Sequence, residues 1–154
     1  MNFELSDEQQ ALREAARGAL SRHATVEAAR EALDGGQPLD LWDAAREVGW
    51  PGLVISEEHG GAGLGALDAM LVMAECGRVL ASVPLLGHVP ATAVLDRAGA
   101  DDELLRALAE GERRAAFVGA QPPGDREERW TVDAERGQAR ADAPAVDGDG
   151  RLRG

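Results

Sequence analysis

Residues Gly49 to Pro84 read GWPGLVISEEHGGAGLGALDAMLVMAECGRVLASVP. A short apolar run, an acidic pair and a glycine loop lead into the most apolar helical pattern of the chain. Leu67, Met70, Leu71, Ala74 and Gly77 recur at helical spacing and predict a narrow apolar face, with Asp68, Glu75 and Arg78 mostly off it. The flexible Gly63-Leu64-Gly65 step marks the start, and Pro84, which cannot continue a helix, bounds the end. A helix this apolar must be packed on others, so it is read as the central helix of an all-helical domain.

Working outward, Ser6-Asp7-Glu8-Gln9 is a capping box with acids in the first turn, and Phe3 and Leu5 can staple it. Leu12, Ala15, Ala16, Ala19 and Leu20 continue a stripe to about His23. Thr25 reads as the cap of a second helix, Val26 to Leu33, ended by Asp34-Gly35-Gly36. Pro38 is expected to open a third, with Leu41, Trp42, Ala45 and Val48 on one side and Gly49 at its end. Leu53-Val54-Ile55 is expected to be a short buried extended segment. Beyond the central helix, Leu85 to Arg97 predicts another apolar helix. Asp101 or Asp102 then caps a last one, with Leu104, Leu105, Leu108 and Ala109 inward, before Gly111.

After residue 112 the character changes. Ala115 to Ala120 reads as a strand, Gln121 to Asp125 as a turn and Arg129 to Asp133 as a second strand. From Gln121 onward the large apolar residues are Trp130, Val132, Val146 and Leu152, too few to bury a sheet, so partner strands outside the chain are expected. The expected fold is mainly α. An up-and-down bundle of about six helices over residues 1–112 precedes the first strands of an incomplete β domain over 113–154.

Composition narrows the function. The 28 acidic residues against 16 basic ones give a formal charge of −12, which lacks the basic footprint that nucleic acid or an anionic membrane requires. All the basic residues are arginine and there is no tyrosine, which excludes a Schiff-base lysine or a catalytic tyrosine within these residues. The single Cys76 allows no internal disulfide; with no His or Lys one turn away, it reads as a small buried hydrophobe. The N-terminal residues lack the pattern of a signal peptide. The charge-free stretch Val79 to Leu95 is too interrupted by Pro84 and Pro90 to span a bilayer. A soluble, cytoplasmic protein is expected.

Gly61-Ala62-Gly63-Leu64-Gly65-Ala66 satisfies the G-x-G-x-x-G/A spacing of a dinucleotide fingerprint. The preceding strand is minimal, however, and the position of the ribose-binding acid falls among Val83, Pro84 and Leu85, so a plain glycine turn is favoured. Glu57-Glu58 reads as a solvated loop pair. His23, His59 and His88 share no metal-ligand spacing, and there is no G-x-S-x-G nucleophile elbow. The stretch Val79 to Leu95 could wall an apolar ligand slot, although plain helix–helix core is the favoured reading of these residues by themselves.

The order of glycine, acidic pair, His59-Gly60-Gly61, Gly63, long helix and Glu75-Cys76-Gly77-Arg78 resembles the N-terminal helical domain of the acyl-CoA dehydrogenases. That family usually shows Pro-Glu-Glu-Tyr-Gly-Gly-x-Gly, then a helix ending in a Glu-Leu-Gly-Arg-like segment. Here Ser56 replaces the proline, His59 the tyrosine and Cys76 the leucine. The likeness runs from Met1, where an apolar start precedes Ser-x-x-Gln as is common in the family, to about Gln121.

The resemblance implies FAD-dependent α,β-desaturation of an acyl-CoA thioester, a flavoprotein oxidoreductase of fatty acid and lipid metabolism. It implies that Val83, Leu86, Val89 and Pro90 line the acyl cavity. It also implies flavin and substrate contacts near Ala120 and Gln121, where the family's Thr-Glu pair is replaced, with Pro122, Gly124 and Asp125 keeping the pattern. The family's catalytic glutamate belongs to a later helical domain, so no catalytic residue is expected within these residues, and the chain alone is expected to be inactive. A homo-oligomer, or a hetero-oligomer with a chain carrying the other domains, is the expected assembly. The alternative is a non-catalytic helical module or partner subunit of a heteromeric complex; a nucleotide-binding protein is the third reading.

Overall fold

The computed structural model describes residues 4–117 and, beyond them, four short strand segments. The chain divides into two compact units, Met1–Phe117 and Val118–Gly154. The first is helical: α1 (Asp7–Leu20), α2 (Thr25–Leu33), α3 (Trp42–Glu47), α4 (Ala66–Arg78), α5 (Leu85–Arg97) and α6 (Asp102–Ala109). In the second, β1 (Trp130–Asp133) pairs antiparallel with β2 (Gln138–Ala141), and β3 (Ala145–Val146) with β4 (Leu152–Arg153). The strand expected over Ala115 to Ala120 is not formed at Ala115–Phe117, and its remainder lies outside the described residues.

Local chemistry sets the helix ends. Ser6 Oγ accepts from the Gln9 amide, and the Gln9 side chain accepts from the Ser6 amide, which completes the capping box. Asp101, rather than Asp102, caps α6 by accepting from the Leu104 amide at 3.0 Å. Two expected ends move. Thr25 lies inside α2 and its hydroxyl instead donates to the Val79 carbonyl at 2.6 Å, tying α2 to the end of α4. Pro38 does not open α3, which starts at Trp42 with Asp40 Oδ1 accepting from the Trp42 amide.

The main core joins Ala16 and Leu20 of α1, Trp42 and Ala45 of α3, and Val72 and Cys76 of α4, with Leu85 and Val89 of α5 beneath them. A smaller cluster packs Ile55 against Leu108 and Ala109 of α6. The rotation of α4 differs from the periodic reading. Ala69, Val72, Glu75 and Cys76 are buried, whereas Leu67 and Met70 are 50% and 59% exposed. Apolar residues surround most of this helix, so the pattern alone fixes its rotation poorly. Polar contacts to α1 fix it: Gln9 donates to Asp68 and Arg17 to Glu75, drawing those two carboxylates inward.

Candidate functional site

Leu53, Val54 and Ile55 are not an extended segment. They follow a 3-10 turn at Trp50–Gly52, with Leu53 in helical backbone conformation, and the chain then doubles back over them. The amide of Gly61 donates to Ser56 O, that of Ala62 to Gly52 O, that of Gly63 to Ile55 O and that of Leu64 to Leu53 O, at 2.8 to 3.1 Å. Gly65 N–H donates to Asp68 Oδ2 at 2.9 Å. Five consecutive amides are therefore consumed within the domain. A phosphate cradle needs such amides free, so the glycine loop is a packing turn. Gly61 is required by that turn, because a Cβ there would lie 2.1 Å from Ile55 O.

This turn forms one side of an apolar cavity of about 430 Å³ between α4 and α5. Val54 and Leu64 come from the turn, Met70 and Met73 from α4, and Ala93 and Val94 from α5. Leu86, Val89 and Pro90 also line it. Helix α5 runs through Pro90, whose missing N–H leaves the Leu86 carbonyl without its helical donor. Val83 is apart from them: it borders a separate depression with Asp40, Pro84 and Arg114. Ala120 and Gln121 lie outside the described residues.

Beneath the cavity α5 is anchored by a buried polar knot. His88 Nε2 faces the Pro51 carbonyl at 3.2 Å, and its Nδ1 accepts from the Ala115 amide at 3.1 Å. This pairing requires the neutral ring with its proton on Nε2. Burial pushes His88 below its ordinary value, in agreement. Trp42 meets His88 edge-on at 5.0 Å and donates through Nε1 to Gly111 O at 2.8 Å. The Arg114 guanidinium covers the Trp42 ring at 4.9 Å.

A second polar cluster sits at the C-terminal end of α5. Ser56 Oγ donates to Asp96 Oδ1 at 2.9 Å, and His59 Nδ1 lies 2.8 Å from Ser56 Oγ and 3.1 Å from Asp96 Oδ1. On its other side His59 Nε2 lies 3.4 Å from Asp102 Oδ1. Burial pushes the Asp96 carboxyl up, but the hydrogen bonds from Ser56 and His59 outweigh it and hold the group below its ordinary value. Serine, histidine and aspartate meet here on one imidazole nitrogen. A nucleophilic triad needs the serine proton directed to the imidazole, whereas the Ser56 hydroxyl donates to Asp96, so this cluster is not one. The sequence reading did not single out Asp96. Its signal was the pair of departures from the family pattern, Ser56 and His59, both of which bond to it.

The remaining candidates are structural. Glu57 and Glu58 are exposed. Cys76 is buried, and burial pushes its thiol up to about 11. Among the described residues, no three His, Cys, Asp or Glu side chains are grouped to hold a metal ion, and no helix is long and apolar enough to cross a membrane.

The family model described as acyl-CoA dehydrogenase, N-terminal domain, matches residues 6–112. The chain belongs to the acyl-CoA dehydrogenase family. It is 39% identical over 117 residues to acyl-CoA dehydrogenase IpdE2 of Mycolicibacterium smegmatis, covering 74% of this chain and 37% of that protein. It is 40% identical over 116 residues to IpdE2 of Mycobacterium tuberculosis, covering 73% and 36%. The chain thus spans little more than a third of these relatives.

Among solved structures it resembles a chain of the ChsE4-ChsE5 complex from Mycobacterium tuberculosis. The TM-score there is 0.63 and the identity 29%, over 74% of this chain and 33% of that one. It also resembles a variant of the Tcur3481-Tcur3483 steroid ACAD, with a TM-score of 0.61 and 31% identity, over 70% and 31%.

Proposed function

We propose that this chain is part of an FAD-dependent acyl-CoA dehydrogenase, in which the α4–α5 cavity forms one wall of the acyl pocket. The observation that carries this reading is the cavity itself, apolar except at one end and lined by Leu86, Val89 and Pro90. Val83, which borders a separate depression, would stand outside this wall. Residues 1–112 would be the helical domain and 113–154 the start of the β domain, where Ala120 and Gln121 would meet flavin and substrate.

Bound FAD would supply the acceptor for the β hydrogen of the acyl group while a carboxylate base takes the α proton. In that reaction the residues of this chain would hold the acyl chain in register and exclude water, and the base would come from outside these residues. The test is titration of the full chain with octanoyl-CoA, followed by amide NMR. Shifts at Leu86, Val89 and Ala93 are the expected outcome, and shifts confined to other surfaces would overturn the cavity assignment.

A second reading keeps the fold without catalysis: a subunit that completes a partner chain. It draws on the likeness to a chain of the ChsE4-ChsE5 complex. Purification from the native source separates the two. A co-purifying chain with flavin absorbance supports assembly into a dehydrogenase, whereas a colourless single chain supports a binding module.

A further inference from the structure

Asp96 and Arg97 are the residues with polar side chains among those lining the cavity, and they sit together at the C-terminal end of α5. Everything else on the wall is apolar or glycine. An unsupported carboxylate beside such a wall would be costly. This one is supported, since Ser56 and His59 both engage Asp96 Oδ1, and the Asp96 side chain keeps 16% of its surface exposed. The two supporting residues are those at which the loop departs from the family pattern of proline and tyrosine. The departures are therefore spatially coupled, and both act on one acceptor.

We infer that Asp96 is a specificity-determining residue: its carboxylate, positioned by Ser56 and His59, accepts a hydrogen bond from a hydroxyl carried by an acyl group whose apolar body fills the cavity. This rests on the reading of the cavity as an acyl wall. The exposed Arg97 next to it suits the same group, because a hydroxyl can donate to the carboxylate and accept from the guanidinium. A carboxylate on the ligand would be repelled by Asp96, and a plain hydrocarbon would cover the carboxylate while adding no donor to those from Ser56 and His59. Ser56 and His59 are positioning residues. They restrict the carboxylate to one orientation, so that little side-chain freedom is lost when the hydroxyl arrives.

The test uses the full chain and two matched probes, decalin and 2-decalol, titrated by amide NMR. In the wild-type chain both probes are expected to shift Leu86, Val89 and Ala93, and 2-decalol alone to shift Ser56 and His59. Asp96→Leu is expected to weaken 2-decalol about tenfold, the scale of one hydrogen bond to a charged group, while leaving decalin unchanged. Asp96→Asn keeps one acceptor oxygen and the shape of the side chain, and is expected to weaken 2-decalol about threefold. It carries the test if the leucine variant does not fold. A stability loss alone would move both probes together, so the ratio of their affinities is the readout. An unchanged ratio in both variants overturns this inference and leaves the acyl wall intact. If neither probe shifts the cavity residues of the wild-type chain, the acyl wall itself is overturned.

Discussion

Arg17 of α1 grips Glu75 of α4 with two hydrogen bonds of 2.9 Å, from Nε to one carboxylate oxygen and from a terminal nitrogen to the other. Arg78 adds a third at 2.8 Å from one turn further along α4. This bidentate pair, together with Gln9 on Asp68, holds α4 in the rotation that buries Val72 and Cys76 and leaves Leu67 and Met70 outward.

The first prediction concerns this pair. Arg17, and then Arg78, hold the Glu75 carboxyl down at about 2, against an ordinary value of 4.5. A carboxyl depressed by folding stabilises the fold fully above its unfolded value, and the contribution is lost as pH falls through the folded one. Glu75→Gln should therefore cost roughly 1–3 kcal/mol at neutral pH. The gap from wild type should close as pH falls from about 4.5 to about 2. Urea unfolding across that range checks it, and a gap independent of pH would show that the charge is not the source.

Leu80 is the described non-glycine residue with a positive φ, 54°, and it follows the end of α4 where the Ala81 amide returns to Cys76 O. Glycine is the usual occupant of such a position because it has no Cβ to clash. The Leu80 side chain is 60% exposed, so little burial is lost on removing it. Leu80→Gly is expected to stabilise the chain by about 1 kcal/mol, read as a higher Tm. A lower Tm would show that the exposed leucine makes a contact worth more than the backbone relief.

Much of this fold was legible because it is written locally. Ser6 and Gln9, Gly65, Pro84, Asp101 and Gly111 mark helix ends through bonds within a few residues of themselves, and those ends lie close to where the sequence places them. What was misread depends on distant partners. The rotation of α4 is decided by Arg17, 58 positions from Glu75, and no periodicity within the helix reports it. Leu53-Val54-Ile55 has the composition of a strand, yet its carbonyls serve the returning glycine turn. Of the residues that the resemblance assigns to an acyl cavity, Leu86, Val89 and Pro90 share α5 and line one cavity, while Val83, before the helix, borders another depression. Asp96 could not be found from sequence spacing, since Ser56 and His59 lie 40 and 37 positions away.

That turn supplies the third prediction. A Cβ on Gly61 would stand 2.1 Å from Ile55 O and 2.7 Å from Gly52 O, both backbone atoms that cannot rotate aside. Gly61→Ala must break the returning bonds of Ala62 and Gly63, at a cost of about 3 kcal/mol. Gly77, by contrast, has open space around its missing Cβ, and Gly77→Ala in the last turn of α4 should be neutral or slightly stabilising. Thermal melts of the two variants side by side check the contrast, and equal effects would place the turn outside the cooperative core.

The last prediction follows from His88, which is fully buried between Pro51 and Ala115 and whose burial lowers its proton affinity from the ordinary value of 6.5. The folded chain holds the ring neutral, so below that value the unfolded chain binds a proton that the folded one refuses. Stability should be complete above about pH 6.5 and decline as pH falls toward the lower folded value. The direction is opposite to that of an imidazolium held by a carboxylate, which would gain stability on acidification. His88→Gln can keep a donor toward Pro51 O and an acceptor toward the Ala115 amide, though with less ring packing on Trp42. It should be less stable than wild type at pH 8 by roughly 1–2 kcal/mol, yet lose less on going to pH 5. Because His88 secures α5 beneath the cavity, the protection of the Val89, Ala91, Thr92 and Ala93 amides, taken relative to their intrinsic exchange rates, should fall in the wild-type chain over that pH interval and hold in the variant. Parallel slopes in the two proteins would mean that the acid sensitivity resides in another group.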